Sequence, residues 1–243
     1  MKLNVTIPVY NEEKALPKSV PILHRFLMEH CSNFDWEVVI ADNASVDRTL
    51  EVAKELSLQF DHVTFVHLDQ KGRGRALKKV WMESYADILS YMDVDLSTNL
   101  ESFPLLVDAL VKEGYDIAIG SRLMKGANTT RSFKREFISR SYNILVKAMF
   151  FTKFSDAQCG FKALTQRVVQ EIVPYCQDNG WFFDSELLII AERLGYRIKD
   201  VPVKWIEDLD TRVKIVQTAI DDVKGLMRVR RNFWKGVYGR RAL

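Results

Sequence analysis

Short strand-like segments alternate with amphipathic segments along the first half of the chain. Five segments with the length and apolar character of strands predict β-strands at residues 5–7, 37–41, 63–68, 88–92 and 116–120. Between them, apolar residues at helical spacing predict helices at residues 12–28, 47–58, 76–85 and 100–112. This alternation predicts an α/β fold whose mostly parallel central sheet is flanked by helices on both faces.

The pattern of the second half is less regular. It predicts helices at residues 133–151, 166–172, 185–194 and 213–234 and a strand at residues 197–203. The first and last of these helices are amphipathic and carry basic residues. No internal repeat or low-complexity linker interrupts the chain, so we predict one α/β domain over residues 1–215, followed by a basic amphipathic segment at residues 216–243.

Composition places the chain among ordinary globular proteins. Of its 243 residues, 47% are hydrophobic and 28% are charged. The three cysteines are odd in number and far apart, which favours a reducing compartment, and the four histidines lack the spacing of a zinc site. The N-terminus lacks the apolar core of a signal peptide, and no apolar stretch reaches the length of a membrane span. We therefore expect a cytosolic protein.

The net charge of +3 is unevenly distributed. Residues 212–243 contain nine Lys or Arg against two Asp, and residues 131–153 contain six against one Glu. Local basicity of this kind indicates an anionic partner, which could be a phosphate, a membrane surface or a nucleic acid. Because no nucleic-acid-binding motif is present, a nucleic-acid-binding module is a distant alternative.

Asp93 and Asp95 flank one apolar residue directly after the predicted strand at residues 88–92. In open α/β sheets, ligands bind beyond the carboxyl ends of the strands. Two carboxylates there suit Mg²⁺ or Mn²⁺, which take oxygen ligands and often share them with phosphates. The alternative is a solvated strand end, since Asp is common in turns.

Polar segments also follow the other predicted strands. Residues 8–13 and 42–49 could grip a nucleotide with backbone amides and short side chains, although Asn11 and Asp47 could simply be helix N-caps. Residues 71–75 form a glycine-containing basic turn that could hold an anion, and a solvated basic turn is the alternative. Arg122 follows the fifth strand and is suited to holding a phosphate.

Two later residues are open to more than one interpretation. Cys159 has no evident base partner, so we interpret it as a small packed residue rather than a nucleophile. Asp184 precedes an apolar helix and could be its N-cap or a carboxylate pointing at the site.

The order of these segments resembles that of the family 2 glycosyltransferases, and most of all the polyprenyl-phosphate sugar synthases, which include the dolichyl-phosphate glucose and mannose synthases. The matching segments span residues 3–215 and are, in chain order, PVYNEE, DNASVDRT, KGRGRA, DVDLS, GSR, SDAQCGFK and FDSELLIIAERLGYRIKDVPVKW. The resemblance implies a GT-A fold, a nucleotide-sugar-binding α/β domain. The segment containing Cys159 is more similar to the glucose branch than to the mannose branch.

The resemblance also implies roles for individual residues. Asp93 and Asp95 match the metal and diphosphate motif, and with Arg122 and Asp184 they are the candidate catalytic residues. The candidate nucleotide-sugar-binding residues are Pro8, Tyr10, Glu12, Asp42, Lys71, Asp93, Arg212 and Lys214, with Asp42 at the position that reads the base. The candidate acceptor-phosphate residues are Arg131, Arg135 and Arg140. Three positions depart from the common family pattern, namely Asn43, Ala44 and Ser97.

The implied reaction is inverting transfer of a hexose from a nucleoside diphosphate to a polyprenyl phosphate. UDP-glucose is the favoured donor, and GDP-mannose is the alternative. A phosphate acceptor is already largely dianionic at neutral pH and needs no base, whereas a sugar hydroxyl acceptor would need one and could use Asp184. The basic amphipathic segments predict a peripheral location on the cytoplasmic face of a membrane, with or without a membrane-anchoring subunit.

Overall fold

The computed structural model describes residues 1–130, 132–206 and 215–239. Their strands form a seven-stranded sheet and a separate two-stranded ribbon. The strands are β1 (Lys2–Val9), β2 (Asp35–Asn43), β3 (Val63–Leu68), β4 (Ile88–Met92), β5 (Ile117–Ser121), β6 (Asn128–Thr130), β7 (Phe161–Thr165), β8 (Ile198–Pro202) and β9 (Lys204–Ile206). The helices are α1 (Leu16–His30), α2 (Thr49–Gln59), α3 (Arg73–Glu83), α4 (Phe103–Val111), α5 (Phe133–Phe150), α6 (Gln166–Ile172), α7 (Phe183–Arg193) and α8 (Ile215–Trp234).

The large sheet has the strand order β3-β2-β1-β4-β7-β5-β8. Only β7 runs antiparallel to its neighbours β4 and β5 within this sheet, and the remaining pairs are parallel. The prediction of a mostly parallel sheet is therefore confirmed. Because β4 and β5 both oppose β7, they run in the same direction and end at the same edge of the sheet as β1, β2 and β3.

Helices cover both faces of this sheet, as predicted. One buried layer joins inward side chains of α1, α2 and α4 to residues such as Val5 and Ile7 of β1. The other layer joins α3, α6, α7 and α8 to residues such as Leu89 and Tyr91 of β4. Consecutive residues of a strand point to opposite faces, so Ile88 and Leu89 enter different layers. Burial on both faces explains why β4 and β5 are mostly apolar rather than alternating.

Pro8 does not end the first strand, contrary to the sequence prediction. It lies within β1 opposite Ala41 of β2, and β1 continues to Val9. The pairing of β1 with β4 extends only from Leu3 to Thr6. Pro8 therefore has a neighbouring strand on one side only, and this is the setting in which a sheet tolerates a missing backbone N–H.

The strand β7 was not predicted from the sequence. Its residues Phe161–Thr165 insert between β4 and β5, and Lys162, the second residue of the strand, is completely buried. The ribbon of β6 and β9 was also missed. The single strand predicted at residues 197–203 ends as β8 at Pro202, and β9 begins at Lys204 to pair with β6.

The helix α8 packs against the domain along one face. Its buried residues Asp222, Leu226, Val229 and Asn232 recur at helical spacing. Gly225 lies on the same side, against the ring of Phe182, and a β-carbon at Gly225 would approach that ring to 2.3 Å. Among the described residues, no helix is long and apolar enough to cross a membrane.

A buried carboxylate lies on this packed face of α8. Oδ2 of Asp222 accepts a hydrogen bond from Nε2 of Gln158 at 2.8 Å, whereas Oδ1 has no partner among the described residues. Burial raises the pKa of Asp222 to about 7, and the hydrogen bond from Gln158 only partly opposes this rise. Since the folded pKa exceeds the unfolded value, the folded state binds the proton more tightly, and stability falls as pH rises toward 7.

We expect Asp222→Asn to raise the melting temperature at pH 8, where the wild type buries an ionised carboxylate. A gain of about 1 kcal/mol corresponds to roughly 2–4 °C for a protein of this size. The gain should shrink at pH 5, where the wild-type carboxyl is protonated in the folded state. Thermal unfolding at both pH values measures this, with Asp221→Asn at the neighbouring exposed position as the control. A gain that is equal at the two pH values would contradict the prediction.

Candidate active site

The polar segments after β1, β2 and β3 contact one another at the carboxyl edge of the sheet. The backbone N–H of Asn11 donates to Oγ of Ser45 at 2.9 Å, and Oδ1 of Asn11 accepts from the backbone N–H of Val46 at 2.9 Å. The backbone N–H of Glu12 donates to Oγ1 of Thr49 at 2.7 Å. These contacts clamp the first two loops into one surface.

Neither Asn11 nor Asp47 is a helix N-cap, which corrects that alternative. The N-cap positions of α1 and α2 are Ala15 and Arg48. Asn11 instead adopts a left-handed backbone with φ of 57° and bridges the two loops. Asp47 accepts hydrogen bonds from the backbone and hydroxyl of Thr49, at 3.0 and 2.5 Å.

The predicted base-reading residue Asp42 is completely buried at the end of β2. Its Oδ2 is 2.6 Å from Nδ1 of His67, the residue opposite it on β3, and its Oδ1 accepts from the backbone N–H of Ser45 at 3.3 Å. His67 is partly exposed and was not predicted as a site residue. The hydrogen bond to Asp42 fixes the orientation of the imidazole ring.

The third loop joins the same surface. Nζ of Lys71 lies 3.5 Å from the centroid of the Tyr10 ring, so two of the predicted nucleotide-sugar ligands are in contact. The backbone N–H of Gly72 donates to Oδ1 of Asn43. The structure therefore brings the region of Pro8, Tyr10, Glu12, Asp42 and Lys71 together.

Asp93 directly follows β4 and is held against β7 and α3. Its backbone N–H donates to the carbonyl of Gly160 at 3.2 Å, and its Oδ1 accepts from Nη2 of Arg73 at 2.9 Å. A β-carbon at Gly160 would lie 2.0 Å from Oδ2 of Asp93, so only glycine leaves room for this carboxylate. Burial raises the pKa of Asp93, with further increases from Asp95 and Asp184 and a partial decrease from Arg73.

Asp95 is exposed beside Asp93. Its Oδ1 accepts from the backbone N–H of Ser97 at 2.9 Å, and Leu96 between them adopts a left-handed backbone with φ of 50°. The loop is tied to β9, because the N–H of Ile206 donates to the carbonyl of Ser97 at 3.0 Å. The two carboxylates thus stand at the surface of the site on a braced loop.

Arg122 lies at the same sheet edge as Asp93 and Asp95, as predicted, but its paired hydrogen bonds go to Asp156. Nε donates to Oδ2 of Asp156 at 2.8 Å, Nη2 donates to Oδ1 at 3.0 Å, and the backbone N–H of Arg122 donates to Oδ2 at 3.1 Å. Burial raises the pKa of Asp156, but Arg122 outweighs it and holds that pKa below its ordinary value. The guanidinium also lies 5.5 Å from the ring of Trp205. Arg122 is therefore a fixed positive charge.

Asp184 is buried at the base of the site. The floor of the site consists of three pairs of opposite charges, formed by Arg73 and Asp93, by Arg122 and Asp156, and by Lys162 and Asp184. Oδ1 accepts from the Tyr91 hydroxyl and is 2.9 Å from Nζ of the buried Lys162, and Oδ2 is 3.8 Å from Nη1 of Arg73. Asp184 is inside the first turn of α7, whose N-cap position is Phe182, so the capping interpretation is wrong. Its contacts make it a partner of buried cations rather than a solvent-facing carboxylate.

The predicted packing role of Cys159 agrees with its complete burial, which raises the pKa of its thiol to about 12. Arg140, a predicted acceptor-phosphate residue, is exposed on α5 and pairs with Glu136. Arg135 begins the same helix, but its side chain is outside the described part of the structure. Arg131, Arg212 and Lys214 also lie outside the described residues.

Sequence reasoning missed several side chains that build the floor of the site. Arg73, Asp156 and Lys162 pair with Asp93, Arg122 and Asp184, respectively. Each lies in a segment that the sequence had marked as polar, but its sequence position alone does not indicate which opposite charge it meets.

The carboxylates fit a divalent cation only if other groups complete its coordination. Among the described residues, no cluster of three or more His, Cys, Asp or Glu could hold a metal by itself. Mg²⁺ and similar ions are often bound by one or two carboxylates together with substrate phosphates. The pair Asp93 and Asp95 fits a divalent cation whose remaining ligands are phosphate oxygens.

The sheet with its clamped strand-end loops and its two carboxylates beyond β4 defines a GT-A type nucleotide-sugar-binding fold. The sequence model of the family described as "Glycosyl transferase family 2" matches residues 4–173. The chain belongs to this family and is a glycosyltransferase. The resemblance and the fold class predicted from the sequence are both confirmed.

Individual relatives agree with this assignment. The chain is 32% identical to glycosyltransferase AglD of Haloferax volcanii over 97% of its own length, but it spans only 37% of that protein. It is 32% identical to the dolichyl-phosphate beta-glucosyltransferase of Drosophila melanogaster, covering 85% of this chain and 68% of that one. A crystal structure of glucosyl-3-phosphoglycerate synthase from Mycobacterium tuberculosis with Mn²⁺, UDP and phosphoglyceric acid shares the fold, with a TM-score of 0.71, 19% identity and coverage of 94% and 78% of the two chains.

We expect Asp156→Asn to destabilise the protein strongly, because it leaves the guanidinium of Arg122 buried without its counter-charge. Breaking a buried pair from one side costs about 3–5 kcal/mol. Chemical denaturation measures the loss in free energy of unfolding. The control is Asp108→Asn, which removes an exposed partner of Lys112 and should cost no more than about 1 kcal/mol. Equal losses in the two variants would contradict the prediction.

Proposed function

We propose that this protein transfers glucose from UDP-glucose to a polyprenyl phosphate, with inversion at the anomeric carbon. The observation that carries the proposal is the pair Asp93 and Asp95, presented on a braced loop beside the fixed cation Arg122. Relatives that are dolichyl-phosphate beta-glucosyltransferases support the acceptor and the sugar. A structural neighbour crystallised with Mn²⁺ and UDP-glucose supports the donor and a divalent metal.

The donor end of the site would be held by the clamped loops. Pro8, Tyr10, Glu12 and Lys71 are the proposed contacts of the nucleotide, and Asp42 orients His67 at the same edge. Asp93 and Asp95 would hold Mg²⁺ or Mn²⁺ against the diphosphate. The bound metal would supply Lewis-acid stabilisation of the leaving group. Arg122 adds positive potential that needs no reorganisation during the reaction, since Asp156 already fixes its guanidinium.

The acceptor end needs no general base if the acceptor is a phosphate monoester. Its second pKa is roughly 6, so the group is largely dianionic at neutral pH. One of its oxygens would form the new bond to the anomeric carbon while the bond to the diphosphate breaks on the opposite face, releasing UDP. The burial of Asp184 beneath Tyr91 and Lys162 favours this acceptor over a sugar hydroxyl, which would need an accessible base. Arg131, Arg135 and Arg140 are the proposed cradle of the acceptor phosphate, and Arg212 and Lys214 are proposed contacts of the diphosphate.

We expect Asp95→Ala to abolish transfer without unfolding the protein, because Asp95 is exposed and is the proposed metal ligand. A bound metal supplies several kcal/mol of stabilisation, so the loss in kcat should be at least about 100-fold. The assay follows Mn²⁺-dependent transfer from UDP-glucose to a polyprenyl phosphate. The control is Asp35→Ala, at the first residue of β2 and therefore at the sheet edge opposite to the one that carries Asp95. Near-normal metal-dependent turnover by Asp95→Ala would contradict the proposed role of Asp95 as a metal ligand.

The same assay separates the alternatives. Transfer from GDP-mannose instead of UDP-glucose would identify the mannosyltransferase alternative. Transfer to a sugar hydroxyl but not to a lipid phosphate would identify a family 2 enzyme with another acceptor. Asp184 would then be a candidate general base.

The proposed lipid acceptor places the protein at a membrane surface, and α8 offers a surface for it. Ile220, Val223, Met227 and Trp234 form an apolar stripe at helical spacing, with exposed fractions of 46%, 48%, 60% and 69%. The exposed basic residues Lys224, Arg230, Arg231 and Lys235 flank this apolar stripe. An apolar face bordered by cations suits an anionic bilayer. The cytoplasmic face of the membrane, and a membrane-anchoring subunit, remain proposals from the sequence.

We expect the double variant Met227→Glu/Trp234→Glu to lose most of its binding to vesicles that contain anionic lipid, because it places two carboxylates on the apolar stripe. Co-sedimentation of the full chain measures binding. The matched control is Leu58→Glu/Tyr85→Glu, which adds the same charge at exposed apolar positions outside α8. Loss of binding in both double variants would indicate a charge effect alone, and loss in neither would exclude the apolar stripe as the docking surface.

A further inference from the structure

Arg73 is the cation that pairs with Asp93. Its Nη2 donates to Oδ1 of Asp93 at 2.9 Å, and its Nη1 is 3.8 Å from Oδ2 of Asp184. The guanidinium lies between two aromatic rings, 5.0 Å from the centroid of Tyr91 and 4.8 Å from that of Trp181. Only 10% of the Arg73 side chain is exposed, and Nε has no hydrogen-bond partner among the described residues.

The backbone around Arg73 is fixed by tight packing. A β-carbon at Gly74 would lie 2.5 Å from Cβ of Phe183, so the start of α3 sits directly against α7. The N–H of Gly74 donates to the carbonyl of Gly180 at 3.2 Å, and the N–H of Arg75 donates to the carbonyl of Asn179 at 3.1 Å. Any rearrangement at this position must therefore come from the Arg73 side chain rather than from its backbone.

The other cations of the floor are committed elsewhere. Arg122 makes paired bonds to the completely buried Asp156, and Lys162 is completely buried against Asp184. The Asp93–Arg73 pair differs from these two, because 40% of the Asp93 side chain is exposed. Of these three pairs, it is the one that incoming ligands can reach.

We propose that Arg73 is an internal substitute for the metal: it neutralises Asp93 while no metal is bound and transfers its hydrogen bonds to the donor diphosphate when metal and nucleotide bind together. This inference rests on the proposed function. A divalent cation and Arg73 repel each other at Asp93, so metal binds weakly while Arg73 stays in place. The planar fork of a guanidinium matches phosphate oxygens, and the unpartnered Nε offers a further donor. Metal and nucleotide consequently strengthen each other's binding.

Calorimetric titration of Mn²⁺, with and without UDP, tests the exchange on the full chain. In Arg73→Met, which keeps an apolar side chain between Tyr91 and Trp181, Mn²⁺ alone should bind at least about 5-fold more tightly than in the wild type, the lower end of typical coupling between linked sites. The further strengthening by UDP should shrink by a similar factor. Arg73→Lys keeps the charge without the fork, so its affinity for Mn²⁺ alone should stay near the wild-type value while the strengthening by UDP falls.

The matched control is Arg75→Met, which removes the same charge two residues along α3 and has no ion pair with Asp93 among the described residues. It should change the affinity for Mn²⁺ alone by less than about twofold, and thermal unfolding verifies that each variant is folded. Unchanged or weaker binding of Mn²⁺ by a folded Arg73→Met would overturn the exchange while leaving the proposed function standing. A wild type that binds neither Mn²⁺ nor UDP would overturn the proposed function and the exchange with it.

Discussion

The electrostatic balance of the floor is the constraint on which this site depends. Three carboxylates, Asp93, Asp156 and Asp184, lie at the base of the site, and each is matched by a cation within the protein. Taking an unpaired charge out of water costs several kcal/mol, more than one surface contact can offset. The antiparallel strand β7 makes the balance possible, because it carries Lys162 into the centre of the sheet beside Tyr91 of β4. The fold and the site are therefore specified by the same side chains.

This balance extends outward to α8 through the segment that precedes α7. Arg228 of α8 is 3.1 Å from Oε1 of Glu186, and Oε2 of Glu186 accepts from the backbone N–H of Asp178. The residues that follow Asp178 hold the start of α3 through the carbonyls of Asn179 and Gly180. A continuous set of contacts thus joins the face of α8 to the helix that begins with Arg73. The C-terminal segment, which was predicted from its amphipathic pattern and its basic residues, is in its described part a structural support of the site.

The regular elements could be predicted because their signals are local. Runs such as residues 63–68 and 88–92 became β3 and β4 at the predicted bounds. The strand β7 could not be recognised in this way, since a charged lysine interrupts its five-residue segment and its partner Asp184 is distant in sequence. The strand-end loops were identified correctly as a group, because parallel strands bring their ends to one edge. What Arg73, Asp156 and His67 do could not be predicted, because each acts through a contact with a residue at least twenty positions away.

The hydrogen bond between Gln158 and Asp222 joins the segment behind Asp93 to α8. Gln158 is two residues from Gly160, which backs Asp93, and Asp222 is on the face of α8 opposite the apolar stripe. The separation across α8 is one helix diameter, about 10–12 Å with side chains. If the proposed apolar stripe rests on a bilayer, the contact between Gln158 and Asp222 would therefore lie about one helix diameter from the lipid surface. The thickness of α8 would then set the minimum distance between the lipid surface and the segment behind Asp93.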